Sequence, residues 1–134
     1  LVLDPDGLLL QGMATSTLLG LGAKLGDGQQ VFPWTTSDEI ASALAFLLQR
    51  DDLAGPVNVV APEKVTNEEF ADAVARVLSR PRFLAIPKPV LKLAGELGDE
   101  VSIGAWVVPE KLQQAGYDWV DPELEGALRR MLDR

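Results

Sequence analysis

The chain has 134 residues, 47% apolar and 24% charged, which is enough for one compact core and fits a soluble globular domain. Its 12 basic and 20 acidic residues leave a net charge of −8, which opposes binding to nucleic acid and to anionic membrane surfaces. Cysteine and histidine are both absent, so a disulfide framework, a thiolate or imidazole zinc site and the usual base of a serine hydrolase are excluded. The carboxylate pairs Asp51-Asp52 and Glu68-Glu69 fit no calcium-loop signature and are expected to face solvent, so no metal is expected. No apolar run approaches membrane-spanning length and no signal-peptide pattern opens the sequence, which makes the cytoplasm the default expectation.

Leu1-Val2-Leu3, ahead of Asp4-Pro5-Asp6-Gly7, reads as the end of a buried strand, and the chain is expected to be cut from something longer. Leu8, Leu9, Leu10, Met13, Leu18, Leu19 and Leu21 predict a helix, with an interruption expected near Gly12 and an end at Gly20 and Gly22. A glycine-rich loop follows to Gly28. Val31-Phe32-Pro33-Trp34 predicts a short edge strand, because Pro33 has no N–H to give to a central ladder. Ser37 is expected to cap the next helix, with Asp38 and Glu39 favoured by the dipole in its first turn and Ile40, Ala43, Leu44, Leu47 and Leu48 on its buried face.

Val57-Asn58-Val59-Val60, between Gly55-Pro56 and Ala61-Pro62, predicts a strand. Thr66 and Glu69 have the spacing of a capping box, and Phe70, Val74, Val77 and Leu78 predict a helix from Asn67 to about Ser79. Arg82 to Ile86 is a further strand candidate, and Pro87 and Pro89 introduce a helix through Leu97. Pro109 and Gly116 bracket a short helix over Glu110 to Ala115. Asp121-Pro122 starts the last one, with Leu124, Ala127, Leu128, Met131 and Leu132 on one face. The fold class is α/β, helix-rich with few short strands. A partner sheet is expected to be missing, and self-association through the uncovered surface is expected with it.

Several separated segments keep a common spacing: Gly20-Leu21-Gly22, Gly26-Asp27-Gly28-Gln29-Gln30, Trp34, Asp38, Gly55-Pro56-Val57-Asn58, Ala61-Pro62, Val65-Thr66-Asn67, Phe70, Arg80-Pro81, Val108-Pro109, Leu112 and Ala115-Gly116-Tyr117. On these residues, nearly the whole chain resembles the C-terminal, substrate-side part of the extended short-chain dehydrogenase/reductase superfamily, in its NAD-dependent epimerase/dehydratase branch. The resemblance implies residues 1–86 as the substrate-side part of a Rossmann-type epimerase domain and residues 87–134 as a helical tail domain. It also implies NAD or NADP and a small-molecule substrate for a parent protein whose nucleotide-binding half and Tyr-x-x-x-Lys pair do the chemistry. Neither element is in this sequence: the one tyrosine, Tyr117, is followed four places on by Asp121, and no glycine-rich strand-to-helix turn occurs. The chain alone is therefore expected to bind no cofactor and to carry no catalytic residue.

Phe32 stands where related epimerases place a phosphate-pairing arginine, Thr36 where the branch has histidine, and Trp106 near a glutamine-arginine motif, so the implied pocket is divergent. Trp34, Gln30, Thr36 and Trp106 are the candidate substrate contacts. Against that reading, either tryptophan could serve the core, and Gln29-Gln30 could be an exposed turn. Asp38 reads as a first-turn charge, and Lys24 and Arg82 as lone cations without a role. The alternative to the enzyme fragment is a non-enzymatic module that keeps the fold and binds a protein partner.

Overall fold

The computed structural model describes residues 1–22, 24–81 and 104–132. The elements in order are β1 (Val2–Leu3), α1 (Leu8–Leu18), β2 (Val31–Phe32), β3 (Thr35–Thr36), α2 (Ser37–Leu48), β4 (Val65–Thr66), α3 (Asn67–Val77), α4 (Glu110–Gln114) and α5 (Leu124–Leu132). The expected strand over Arg82 to Ile86 and the helix through Leu97 lie outside the described residues. Among the described residues, no helix is long and apolar enough to cross a membrane.

The segment from Val31 to Thr36 serves two small sheets. β2 pairs antiparallel with β4, Val31 opposite Thr66 and Phe32 opposite Val65. β3 pairs in parallel with β1, Val2 opposite Thr35 and Leu3 opposite Thr36. Pro33, with no N–H to donate, sits at the exchange of partners, and its carbonyl accepts from the Leu1 amino group at 2.7 Å. The Thr35 N–H donates to the Leu1 carbonyl at 2.9 Å, and the Ala61 N–H to the Trp34 carbonyl at 2.8 Å. The expected edge strand is thus real but shorter, and its continuation past the proline belongs to another ladder.

The strand expected over Val57 to Val60 does not form. β-Branched residues suit a ladder, but a ladder needs a neighbour, and the segment's hydrogen bonds are isolated ones at its end. Val60 accepts from Trp119 Nε1 at 3.2 Å, next to the bond from Ala61 to Trp34. Val57 and Val59 instead lie half-buried against Ala43, Leu112 and Tyr117.

α1 runs unbroken through Gly12, correcting the expected interruption. The helix is apolar nearly all round, so burial of Leu10, Met13 and Ala14 holds it and one glycine is tolerated. α2 begins one residue earlier in its capping than expected: Thr36, not Ser37, is the N-cap, and its Oγ1 accepts from the Glu39 N–H at 3.1 Å. The capping box of α3 is complete. Thr66 Oγ1 accepts from the Glu69 N–H at 3.3 Å, and the Glu69 carboxylate accepts from the Thr66 N–H at 2.7 Å. Thr66→Ala is therefore expected to cost roughly 0.5–2 kcal/mol, read as a lowered urea midpoint with unchanged slope. α3 stops at Val77; Ser79 takes φ 52°, and the Arg80 N–H returns to the Ala75 carbonyl at 2.9 Å, a Schellman-type end usually given to glycine.

The main core gathers Leu3, Leu10, Phe32, Trp34, Phe70 and Val74 with Leu124, Ala127, Leu128 and Met131 of α5. A smaller cluster joins Ala43 of α2 to Leu112 and Tyr117. α5 starts at Leu124 rather than at Asp121-Pro122, and its first N–H is met by Glu63 Oε2 at 2.7 Å, from a residue far back in the chain. The C-terminal helices are built into the body of the fold through both clusters.

Candidate functional site

The most concentrated polar chemistry lies where the start of α2 meets the turn between α4 and α5. Thr36 and Glu39 come from one side, Tyr117 and Asp121 from the other, and all four are buried. The Tyr117 hydroxyl donates to Glu39 Oε1, and the Asp121 N–H donates to Glu39 Oε2 at 2.8 Å. Thr36 Oγ1 accepts from α2 and donates to Asp121 Oδ2 at 2.6 Å. Arg130 of α5 closes the array from its solvent side, with Nη2 at 2.6 Å from Asp121 Oδ2 and Nη1 at 2.6 Å from Asp38 Oδ2.

Glu39 is tolerable in the interior because its position in the first turn of α2 is the favoured end of the helix dipole and both oxygens accept hydrogen bonds. Burial, then the bond to Glu39, pushes the Tyr117 hydroxyl up to about 12 from its ordinary 10.0. Hydrogen bonds to Asp121 and then to Asp38 raise the Arg130 guanidinium above its ordinary value, so it stays charged. Every group named here already has its partner. The array can hold two segments in register, but it offers no free base or nucleophile.

The Tyr117 shift has a measurable sign. The folded value lies above the unfolded one, so the contribution is whole below pH 10.0 and is lost as pH rises through about 12. Urea midpoints across that window should fall more steeply for the wild type than for Tyr117→Phe; parallel curves would contradict the assignment.

The four sequence candidates are not gathered into one place. Trp34 is 1% exposed in the main core, and its Nε1, like the Thr35 Oγ1, has no hydrogen-bond partner among the described residues. Thr36 is buried as cap and donor. Gln30 is half-buried and folds back so that Nε2 donates to the Leu25 carbonyl at 3.1 Å. Trp106 is 66% exposed, with Lys64 Nζ 4.3 Å from its ring centroid. Gln30 and Trp106 do come from touching segments: the Ala105 N–H donates to the Val31 carbonyl at 3.1 Å, and a Cβ on Gly104 would sit 2.7 Å from that of Gln30. Lys24, expected to be alone, pairs with Glu68 at 2.7 Å, which ties the glycine loop to α3; Gln29 Nε2 donates to the same carboxylate at 3.0 Å. Among the described residues, no group of histidine, cysteine or carboxylates could hold a metal ion.

Glu39, Asp121 and Arg130 were not among the sequence candidates. Glu39 read only as a dipole charge, and the Tyr117 to Asp121 spacing only as a failed catalytic pair.

A family model described as a domain of unknown function, DUF1731, matches residues 86–131. Epimerase family protein Mb2239 of Mycobacterium bovis is 38% identical over 120 residues, covering 88% of this chain and 40% of that protein. The crystal structure of human epimerase family protein SDR39U1 (isoform 2) with NADPH superposes with a TM-score of 0.90 at 31% identity, over 99% of this chain and 46% of the human one. Nearly the whole chain is thus similar to epimerase family proteins. Its match is to the C-terminal part of these proteins, and it spans less than half the length of the relatives named here. UDP-glucose 4-epimerase of Thermus thermophilus, solved with NAD, shares the fold at a TM-score of 0.67 and 27% identity, over 98% of this chain and 43% of that one. The epimerase-family fold thus accounts for the architecture, α/β with few short strands and several helices.

Proposed function

We propose that this chain is the substrate-side portion of an NAD(P)-dependent epimerase/dehydratase-like oxidoreductase acting on a small molecule, and that it is not catalytic by itself. Residues 1–86 belong to the epimerase-like body in this reading and residues 87–134 to its tail. The observation that carries it is the agreement of nearly the whole chain with 46% of a human family member solved with NADPH, while the sequence has no Tyr-x-x-x-Lys pair. The one tyrosine is also spoken for, since its hydroxyl is buried and bonded to Glu39. Trp106 and Gln30, on adjoining segments, are the side chains offered to substrate, whereas Trp34 and Thr36 support them from the interior.

Calorimetric titration of this chain with NADPH and with NAD is expected to give no saturable heat, because a pyrophosphate needs a glycine-rich turn opening a helix. Saturable binding in the micromolar range would overturn the division of labour proposed here.

A further inference from the structure

Trp106 owes its place to a close approach between two backbones. The carbonyls along β2 point to alternate edges: that of Gln30, just before the strand, accepts from the Asn67 N–H at 2.8 Å on the side of β4, and that of Val31 accepts from the Ala105 N–H at 3.1 Å. The segment carrying Gly104 and Ala105 therefore meets the other edge of β2. On the first side, Lys64 directly precedes β4, and its ammonium reaches to 4.3 Å from the centroid of the Trp106 ring. Cation and indole thus meet although they come from opposite edges of one strand.

Gly104 is what lets the outer segment come so near. Its φ is 65°, and a Cβ there would stand 2.7 Å from that of Gln30 and 2.8 and 2.9 Å from the Val31 carbonyl oxygen and nitrogen. Two of these three are backbone atoms of a paired strand, which cannot swing aside as the end of a side chain can. A side chain at 104 must lift the segment off β2, lengthening the Ala105 bond and carrying Trp106, two residues on, away from Lys64. We propose that Gly104 is a positioning residue for the substrate contact: its missing side chain sets the height of Trp106 over β2 and keeps the indole beside the Lys64 ammonium with the rest of the ring open. The inference rests on the reading of Trp106 as a substrate contact, but the position itself is tested without substrate.

Fluorescence quenching reads that position. Iodide, an anion, gathers near Lys64 whereas neutral acrylamide does not, and subtracting the Trp106→Phe protein isolates Trp106 from Trp34 and Trp119. At low salt, Lys64→Gln should lower the ratio of iodide to acrylamide quenching of Trp106 about twofold, the effect in water of one unit charge beside the ring. In a Gly104→Ala background the same substitution should leave the ratio unchanged, because the ring no longer sits by the ammonium. Gly104→Asn, whose residue tolerates positive φ but brings a Cβ, should behave like Gly104→Ala. A ratio indifferent to Lys64→Gln in the otherwise wild-type chain overturns the proposal, and that test needs no change at position 104. So does a twofold response that survives in Gly104→Ala or Gly104→Asn protein with a folded circular dichroism spectrum. These results concern only where the indole stands; saturable NADPH binding would instead overturn the functional reading and leave the hold of Gly104 on Trp106 intact.

Discussion

Replacing Glu39 with alanine is expected to cost about 2–6 kcal/mol, at about 1–3 kcal/mol for each of the two buried donors it leaves unsatisfied. The carboxylate is 1% exposed and accepts from both the Tyr117 hydroxyl and the Asp121 N–H. Truncation leaves two buried donors unanswered and takes the cap region of α2 away from the C-terminal turn. Against a total stability of about 5–15 kcal/mol for a domain, such a loss moves the urea midpoint by a large fraction of its value. Tyr117→Phe should cost less, since the Asp121 bond survives it. A double-mutant cycle should then return a coupling energy well above the few tenths of a kcal/mol seen for independent sites. If Glu39→Ala denatures at the wild-type midpoint, the array holds nothing together.

Phe70→Ala should be as damaging, about 3–5 kcal/mol, for an unrelated reason. Phe70 is fully buried and meets the Phe32 ring edge-on, centroids 5.8 Å apart. It belongs to the same core cluster as Trp34, Leu124 and Leu128. Removing the ring leaves a cavity where α3, β2 and α5 converge, and the surrounding elements can relax only in part. Phe70→Leu keeps most of the volume and should recover more than half of the loss in thermal or urea unfolding. Equal destabilisation by both substitutions would mean that ring contacts rather than cavity volume set the cost.

Local rules in the sequence go far here. The capping box at Thr66 and Glu69, the helix that follows, the Pro109 to Gly116 bracket and the apolar face of α5 all depend on residues within about one turn of each other, and all are found where expected. What failed depended on partners distant in the chain. Val57 to Val60 has the right residues for a strand, but a ladder requires a second backbone beside it. Thr36 displaced Ser37 as the cap of α2 because its hydroxyl serves two roles at once, one of them to an aspartate 85 positions away. The candidate contacts divided in the same way. Trp34 went to the main core and Thr36 to the interior, where pairing with β1 and the bond to Asp121 hold the threonine, while Trp106 stayed outside. Glu39 carried no local signal of its importance, since a carboxylate in a first turn looks alike whether it meets solvent or a buried tyrosine.

The carboxylate of Glu63 at the first N–H of α5 has a consequence for the order in which the chain becomes structured. α5 has nine residues, fewer than an isolated helix needs to persist in water, and its N-terminal donor is met by a side chain 61 positions earlier. Its helical state is thus conditional on the Ala61 to Val65 region having already reached its place beside Trp34. The last stretch of sequence should condense late and melt early, with transition-state φ-values near zero for Leu128 and Met131 and higher ones for Phe70 and Val74 in α3. During synthesis α5 would stay unformed until the earlier segment offers both the apolar groove and the carboxylate.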